Sequence, residues 1–205
     1  MIITFDGTSG SGKGTIAAKV ADHYQAAYLD TGKLYRAFAF LVLKHDMLDN
    51  FVKKSGELVS MINQDILSLD ELYSEEIAKI ASKIAKEKSV RQSLISMQRN
   101  FAKSHQNVVL DGRDTGSVIC PEADHKFYID ADVTIRARRR FEQLIQKGIQ
   151  NRSLESITDD LKQRDFNDKN RSEAPLIIPE GANVIDNSYG SVDIVVKKVL
   201  ELIDK

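Results

Sequence analysis

Four glycines and a lysine set the chemistry of the run Gly7-Thr8-Ser9-Gly10-Ser11-Gly12-Lys13-Gly14-Thr15. Glycine permits backbone conformations in which successive N–H groups turn inward on one anion. Lys13 adds a mobile point charge for the outer oxygens of a polyphosphate. A bare Gly/Ser turn would share the composition. It would not share the context: Met1 to Phe5 is a short apolar run that reads as a buried strand. From Ile16 to Tyr24 apolar residues recur at helical spacing. A phosphate loop between strand and helix also receives the positive end of the helix dipole.

Gly14 stands where the general phosphate-loop pattern has Ser or Thr, and the hydroxyl comes one residue later at Thr15. One helical residue is a rotation of about 100°. Thr15 is therefore expected to touch a phosphate rather than a metal ion.

A second set of groups lies further along. Val108-Val109-Leu110 leads into Asp111-Gly112-Arg113-Asp114. An apolar strand ending in aspartate beside a phosphate loop suits hydrated magnesium, so Asp111 is the expected metal ligand, through water. A simple turn aspartate before Gly112 is the alternative. Arg136, Arg139 and Arg140 fall at i, i+3 and i+4, on one helix face. Arg164, Asp168 and Arg171 fall at i, i+4 and i+7, on one face if the helix runs that far. Such basic faces are often merely solvated. Beside a phosphate loop, guanidinium groups match the charge spread over a transferring phosphoryl group.

Five candidate strands must position these groups: Ile2–Phe5, Ala27–Leu29, Val108–Leu110, Lys126–Ile129 and Asn183–Ile185. Helical stretches alternate with them. That order predicts an α/β fold, a five-stranded parallel sheet flanked by helices on both faces. Functional residues should then gather at the carboxyl ends of the strands. Asp6, Asp30, Asp111, Asp130 and Asp186 each follow an apolar run there. Asp130 and Asp186 read as turn or cap residues. Leu29-Asp30-Thr31-Gly32 opens a helix carrying Tyr35 and Arg36, with Asp30 or Thr31 as its cap.

The chain of 205 residues suffices for a single domain with a real core. The expected core is 1–31, 107–131 and 172–205. Residues 32–106 exceed a minimal crossover and are expected to hold a substrate-binding appendage. Residues 132–171, rich in arginine and broken by Gly148, are expected to form a lid. A net charge of −1 argues against a nucleic-acid partner. There is no apolar run long enough for a membrane span, and no signal core ahead of the first strand. One cysteine, Cys120, excludes an internal disulfide, and with four scattered histidines it offers no metal-ligand spacing. A cytoplasmic location is the expectation.

Over nearly its whole length the chain resembles bacterial-type cytidylate kinases, P-loop nucleoside monophosphate kinases. The likeness rests on Asp6 to Thr15, with the Gly-Lys-Gly-Thr form of such kinases, and on Leu29-Asp30-Thr31-Gly32 with Tyr35-Arg36. It continues in Ile80-Ala81-Ser82, Val90-Arg91, Gln98-Arg99, Asp111-Gly112-Arg113-Asp114, Arg136 to Arg140 and Lys147-Gly148. The most specific segments are Arg164-Asp165, Asp168-Lys169-Asn170-Arg171 and Ala174-Pro175-Leu176.

The resemblance implies a P-loop NTPase-type three-layer sandwich with monophosphate-binding and lid appendages. It implies ATP with Mg2+ as donor and CMP or dCMP as acceptor, in a monomer. By resemblance Gly7 to Thr15 bind ATP. Arg36, Arg113 and Arg164 bind the CMP phosphate, and Thr31 and Tyr35 are also among the CMP-binding residues. Ser82, Arg91, Asp114 and Arg171 read the cytosine edge, and Asp168 contacts the sugar. Lys13, Arg139, Arg140 and Arg164 are the catalytic cations. No side-chain nucleophile is needed, because positioning and charge stabilisation carry phosphoryl transfer.

Two departures from the family pattern stand out. Asn167 occupies a position where the family has a further arginine. Met61 to Glu76 is too short for the small β-rich insert of many relatives, which bears on discrimination of CMP from UMP. A small P-loop kinase for another acceptor is the nearest alternative. A non-catalytic nucleotide sensor is a second, and a coupled ADP-release assay separates it. A GTPase is disfavoured: there is no Asn-Lys-x-Asp motif.

Overall fold

The computed structural model of the chain describes residues 1–146 and 148–205. Lys147, part of the Lys147-Gly148 segment, lies outside the described residues. The elements run β1 (Ile2–Gly7), α1 (Lys13–His23), β2 (Ala27–Asp30), α2 (Thr31–Lys44), α3 (Ser55–Ser60) and α4 (Gln64–Leu67). A 3-10 turn (Asp70–Tyr73), α5 (Glu75–Ile84), α6 (Lys88–Ser104), β3 (Val108–Asp111) and a π-helical turn (Thr115–Ile119) follow. The chain ends in β4 (His125–Asp130), α7 (Val133–Gln146), α8 (Leu154–Asn170), β5 (Asn183–Asp186) and α9 (Val192–Ile203).

The five strands form one parallel sheet in the order β2-β3-β1-β4-β5. All five predicted strands are present. Each runs one or two residues further, because a terminal polar residue can continue the ladder after the apolar run stops. Phe5 pairs with Asp111, Gly7 with Ile129, and Asp130 with Asp186. This register brings the carboxyl ends of β1, β3, β4 and β5 level. β1 is central, with later strands added on both sides, so its carboxyl end is a topological switch point.

The chain divides into two compact units, Met1–Leu29 with His105–Lys205, and Asp30–Ser104. In the first, Ile3 and Phe5 of β1, Val109, Phe127, Ile129 and Ile185 meet Ile16, Ala17 and Val20 of α1 and Val195 and Val199 of α9. Phe5 stacks on Phe127 with ring centroids 5.1 Å apart. Here too, α7 and α8 are joined by an apolar seam of Ala137, Leu144, Ile157 and Leu161. α8 stops at Asn170, and Arg171 is extended (φ −66, ψ 145), so Arg171 is not on the helical face predicted with Arg164 and Asp168.

The second unit is helical. Asp30 caps α2 by accepting from the Lys33 N–H at 3.1 Å, while Thr31 is the buried first helical residue. Its core includes Leu34, Phe38, Leu41, Leu58, Leu72, Ile84 and Leu94. Between Met61 and Glu76 lie only α4, the 3-10 turn and the start of α5, in keeping with the missing β-rich insert. Among the described residues no helix is long and apolar enough to cross a membrane.

Candidate active site

The phosphate loop leaves the carboxyl end of β1 and enters α1 at Lys13, three residues before the apolar periodicity begins. Gly12 is the N-cap and is left-handed, with φ 86. A Cβ there would lie 2.6 Å from Nδ2 of Asn187, so a side chain would be strained in torsion and would have to displace that amide. The loop is held by bonds within itself and from residues far along the chain. Thr8 Oγ1 donates to Asp130 Oδ1 at 2.6 Å, and Ser11 Oγ donates to the Thr8 carbonyl at 3.0 Å. Asn187, just past β5, donates from Nδ2 to the Ser11 carbonyl at 2.7 Å. Arg136 and Asp165 take the two backbone groups of Ser9.

At the mouth of the loop, Lys13 Nζ lies 3.0 Å from Asp111 Oδ1, with the two side chains 13% and 5% exposed. Tyr28 donates its hydroxyl to Asp111 Oδ2 at 3.3 Å. A Cβ on residue 14 would sit 2.9 Å from that same Oδ2. The unusual glycine thus has a steric cause: it admits the β3 carboxylate against the first turn of α1. Thr15 is exposed. The buried oxygens of Asp111, next to the loop, are the hard donors that magnesium takes, and one carboxylate with waters and phosphates suits its octahedral habit.

The π-helical turn follows Asp114, and its bonds run from the N–H of Ile119 to the carbonyl of Asp114 (3.1 Å) and from Cys120 to Thr115 (2.8 Å). Single π turns recur at functional sites. Asp6, buried at the end of β1, holds this turn. It accepts from the N–H groups of Thr115 and Gly116, each at 2.8 Å, and from the Thr115 hydroxyl at 2.9 Å. Burial pushes its carboxyl up to about 6, against the pull of those N–H donors.

Two arginine–carboxylate pairs extend the site. Arg113 Nε lies 2.9 Å from Asp168 Oδ2, and Arg171 Nη2 lies 3.5 Å from Asp114 Oδ1. Burial works against the charge of Arg113, but Asp168, Asp111 and Asp165 together outweigh it, and the guanidinium is held above its ordinary value. Burial alone would raise Asp168, yet Arg113, Arg164 and Arg171 together hold it below the usual carboxylate range. Arg164 is half-buried. Arg171 also donates from Nε to the Ala174 carbonyl at 2.7 Å.

The expected basic face of α7 divides in the structure. Arg136 is not solvated: it is 5% exposed and bonded inward. Arg139 is half-buried, donating to the Ser188 carbonyl at 3.4 Å, and Arg140 is exposed. Asp186 is a turn residue, accepting from the Ser188 N–H at 2.8 Å. Asp130 also binds its following N–H, at Ala131, besides Thr8.

In the helical unit, Arg36 donates from Nη1 to the Leu72 carbonyl at 2.8 Å, and its guanidinium carbon lies 5.6 Å from the Tyr73 ring. Arg91 is 2% exposed, donates to the Ala85 carbonyl at 3.2 Å and lies 5.6 Å from the Tyr35 ring. Ser82 is half-buried on α5. The contacts of Asp6, Asp165 and Asn187 have no separate signal in the sequence, since each is made to partners far along the chain.

A phosphate loop at the switch point of a parallel sheet, with a buried carboxylate beside its lysine and arginines along the same edge, defines a P-loop kinase. The fold agrees with a shikimate kinase from Bacteroides thetaiotaomicron, at a TM-score of 0.55 and 13% identity, covering 100% of this chain and 99% of that one. An uncharacterized protein from Eubacterium ventriosum is similar, with a TM-score of 0.57 and 15% identity, covering 100% and 99%. These show the fold alone. The cytidylate kinase family model matches residues 3–205. A cytidylate kinase from Bartonella tribocorum is 42% identical over 192 residues, 94% of this chain and 89% of the relative. One from Brucella ovis is 38% identical over 206 residues, 99% and 92%. The chain belongs to the cytidylate kinase family.

Proposed function

We propose that the protein transfers the γ-phosphoryl group of ATP to CMP or dCMP, giving ADP and CDP or dCDP. The observation that carries this reading is the family match along the chain together with Lys13 of the phosphate loop paired to Asp111 at the switch point. An oxygen of the acceptor's phosphate forms a bond to the γ-phosphorus as the bond to the β–γ bridging oxygen breaks. Residues Gly7 to Thr15 bind the donor phosphates, the Ser9 N–H excepted, which Asp165 takes. Lys13, Arg139, Arg140 and Arg164 stabilise charge on the transferring group. Asp111 would hold Mg2+ through water, and that ion supplies charge neutralisation between donor phosphates when bound.

For the acceptor, Arg36, Arg113 and Arg164 take the monophosphate, and Thr31 and Tyr35 also contact CMP. Asp168 takes the sugar. Ser82, Arg91, Asp114 and Arg171 read the base. Cytosine presents an amino donor and ring acceptors, so carboxylate, hydroxyl and guanidinium groups together can satisfy it. Residues 32–106 contain the monophosphate-binding appendage, and residues 132–171 the lid that excludes water from the phosphates. The protein acts as a monomer in the cytoplasm, without nucleic-acid or membrane partners.

ADP release measured with ATP and each of CMP, dCMP, UMP, AMP and GMP tests this reading. CMP and dCMP should lead. A purine acceptor ahead of both would overturn it.

A further inference from the structure

We propose that Arg136 and Asp165 are positioning residues that fix the phosphate loop for ATP by engaging both backbone groups of Ser9. Asp165 Oδ1 accepts from the Ser9 N–H at 3.2 Å, and Arg136 Nη1 donates to the Ser9 carbonyl at 2.9 Å. The two side chains close on each other, Nη1 to Oδ2, at 2.7 Å and are 5% and 12% exposed. Arg136 is anchored in turn by its Nε on the Ala131 carbonyl at 2.7 Å. Arg136 stands on α7, one turn from its start, and Asp165 on α8, so the pair reaches the loop from two helices.

A buried ion pair is a poor way to gain stability. Well-packed apolar side chains of similar volume are often as stable or more so. Stability therefore does not account for these two charges. An apolar pair could not hold the Ser9 N–H and carbonyl. Ser9 precedes Gly10 and Gly12, the residues at which the loop is most permissive. With the Ser9 carbonyl bound to Arg136 and its N–H to Asp165, the peptide planes on either side of Ser9 are fixed. The later N–H groups are then set toward the phosphate position before ATP arrives. Such preorganisation is where much of phosphoryl-transfer catalysis resides.

The role rests on the reading of Gly7 to Thr15 as the ATP phosphate site, and the test keeps the two separable. The double variant Arg136→Met with Asp165→Leu removes both charges and keeps volume. It should melt within a few degrees of the parent. Its Ser9 to Gly12 amides should exchange at least about tenfold faster without ligand, its KM for ATP should rise about tenfold, and its kcat should fall about tenfold or more, as loop misplacement implies. Each single charge deletion should lower the melting temperature more than the double. A double variant with the parent's stability, loop exchange and ATP kinetics would make the pair merely structural and overturn the proposal. If the double variant does not fold, Arg136→Lys decides. It keeps the positive charge beside Asp165 but not the planar fork that serves the Ser9 and Ala131 carbonyls, and unchanged loop exchange with unchanged KM for ATP would overturn the proposal. A parent that releases no ADP with any monophosphate, while loop exchange still responds to these substitutions, would sink the kinase reading and leave the positioning role standing.

Discussion

Lys13 Nζ and Asp111 Oδ1 are 3.0 Å apart, so the phosphate-loop cation is paired with the carboxylate at the end of β3. On the proposed reading, Lys13 serves the donor phosphates from this position. Lys13→Ala should therefore lower kcat by several orders of magnitude in a folded protein. Asp111→Asn should instead shift the magnesium titration to higher concentration and lower kcat, with circular dichroism unchanged. Parent-like ADP production by Lys13→Ala would refute its role, and an unmoved magnesium titration would reduce Asp111 to a partner of Lys13.

Gly14 depends on the same carboxylate. In an exposed helix, Gly to Ala stabilises by up to ~1 kcal/mol. Here the added Cβ would meet Asp111 Oδ2 at 2.9 Å, and either the carboxylate or the helix must move. Gly14→Ala should lower kcat at least about tenfold, since small displacements of catalytic groups are costly. Steady-state turnover at saturating ATP and CMP checks this, and full activity would show that the Asp111 position is not critical.

Asp6 makes stability pH-dependent with a stated sign. Its native carboxyl stands at about 6, against 3.8 as an ordinary carboxyl. Between those values the native state keeps a proton that the unfolded chain has released. The contribution of Asp6 to stability therefore falls as pH rises through that window, and is least favourable above about 6. Asp168, held low by its arginines, works in the opposite direction and loses its contribution as pH falls. Comparison with Asp6→Asn isolates the first group. From about pH 4.5 to about pH 7 the parent should lose roughly 2 kcal/mol relative to the variant, an upper figure for a two-unit shift. Urea titrations at both pH values measure it, and parallel curves would mean that Asp6 does not titrate there.

Asp114 pairs with Arg171 and lies at the head of the π turn that Asp6 holds. On the base-reading proposal its carboxylate accepts from cytosine's amino group. Uracil offers an acceptor at that position, and a buried site rejects a group it leaves unpaired. Asp114→Asn should lose CMP activity and narrow the CMP to UMP ratio of kcat/KM, judged against the parent. A ratio unchanged within twofold would remove Asp114 from base reading.

Much of this protein is local in origin. The glycines and Lys13, the short apolar runs and the helical periodicity each act over a few residues, and they set the phosphate loop, the five strands and the α/β order. Tertiary structure decided what periodicity cannot carry. Spacing puts Arg136 on a face with Arg139 and Arg140, but a face has no identity until something packs on it. Ser9 and Asp165 make Arg136 a buried strut, while Arg140 stays in solvent. Residue 14 is glycine because of a carboxylate that arrives from β3, nearly a hundred positions later. Asp6 likewise acquires its role only when β1 and β3 align their carboxyl ends, and Asn187 only when β5 joins the sheet, because a hydrogen bond depends on distance in space and not along the chain.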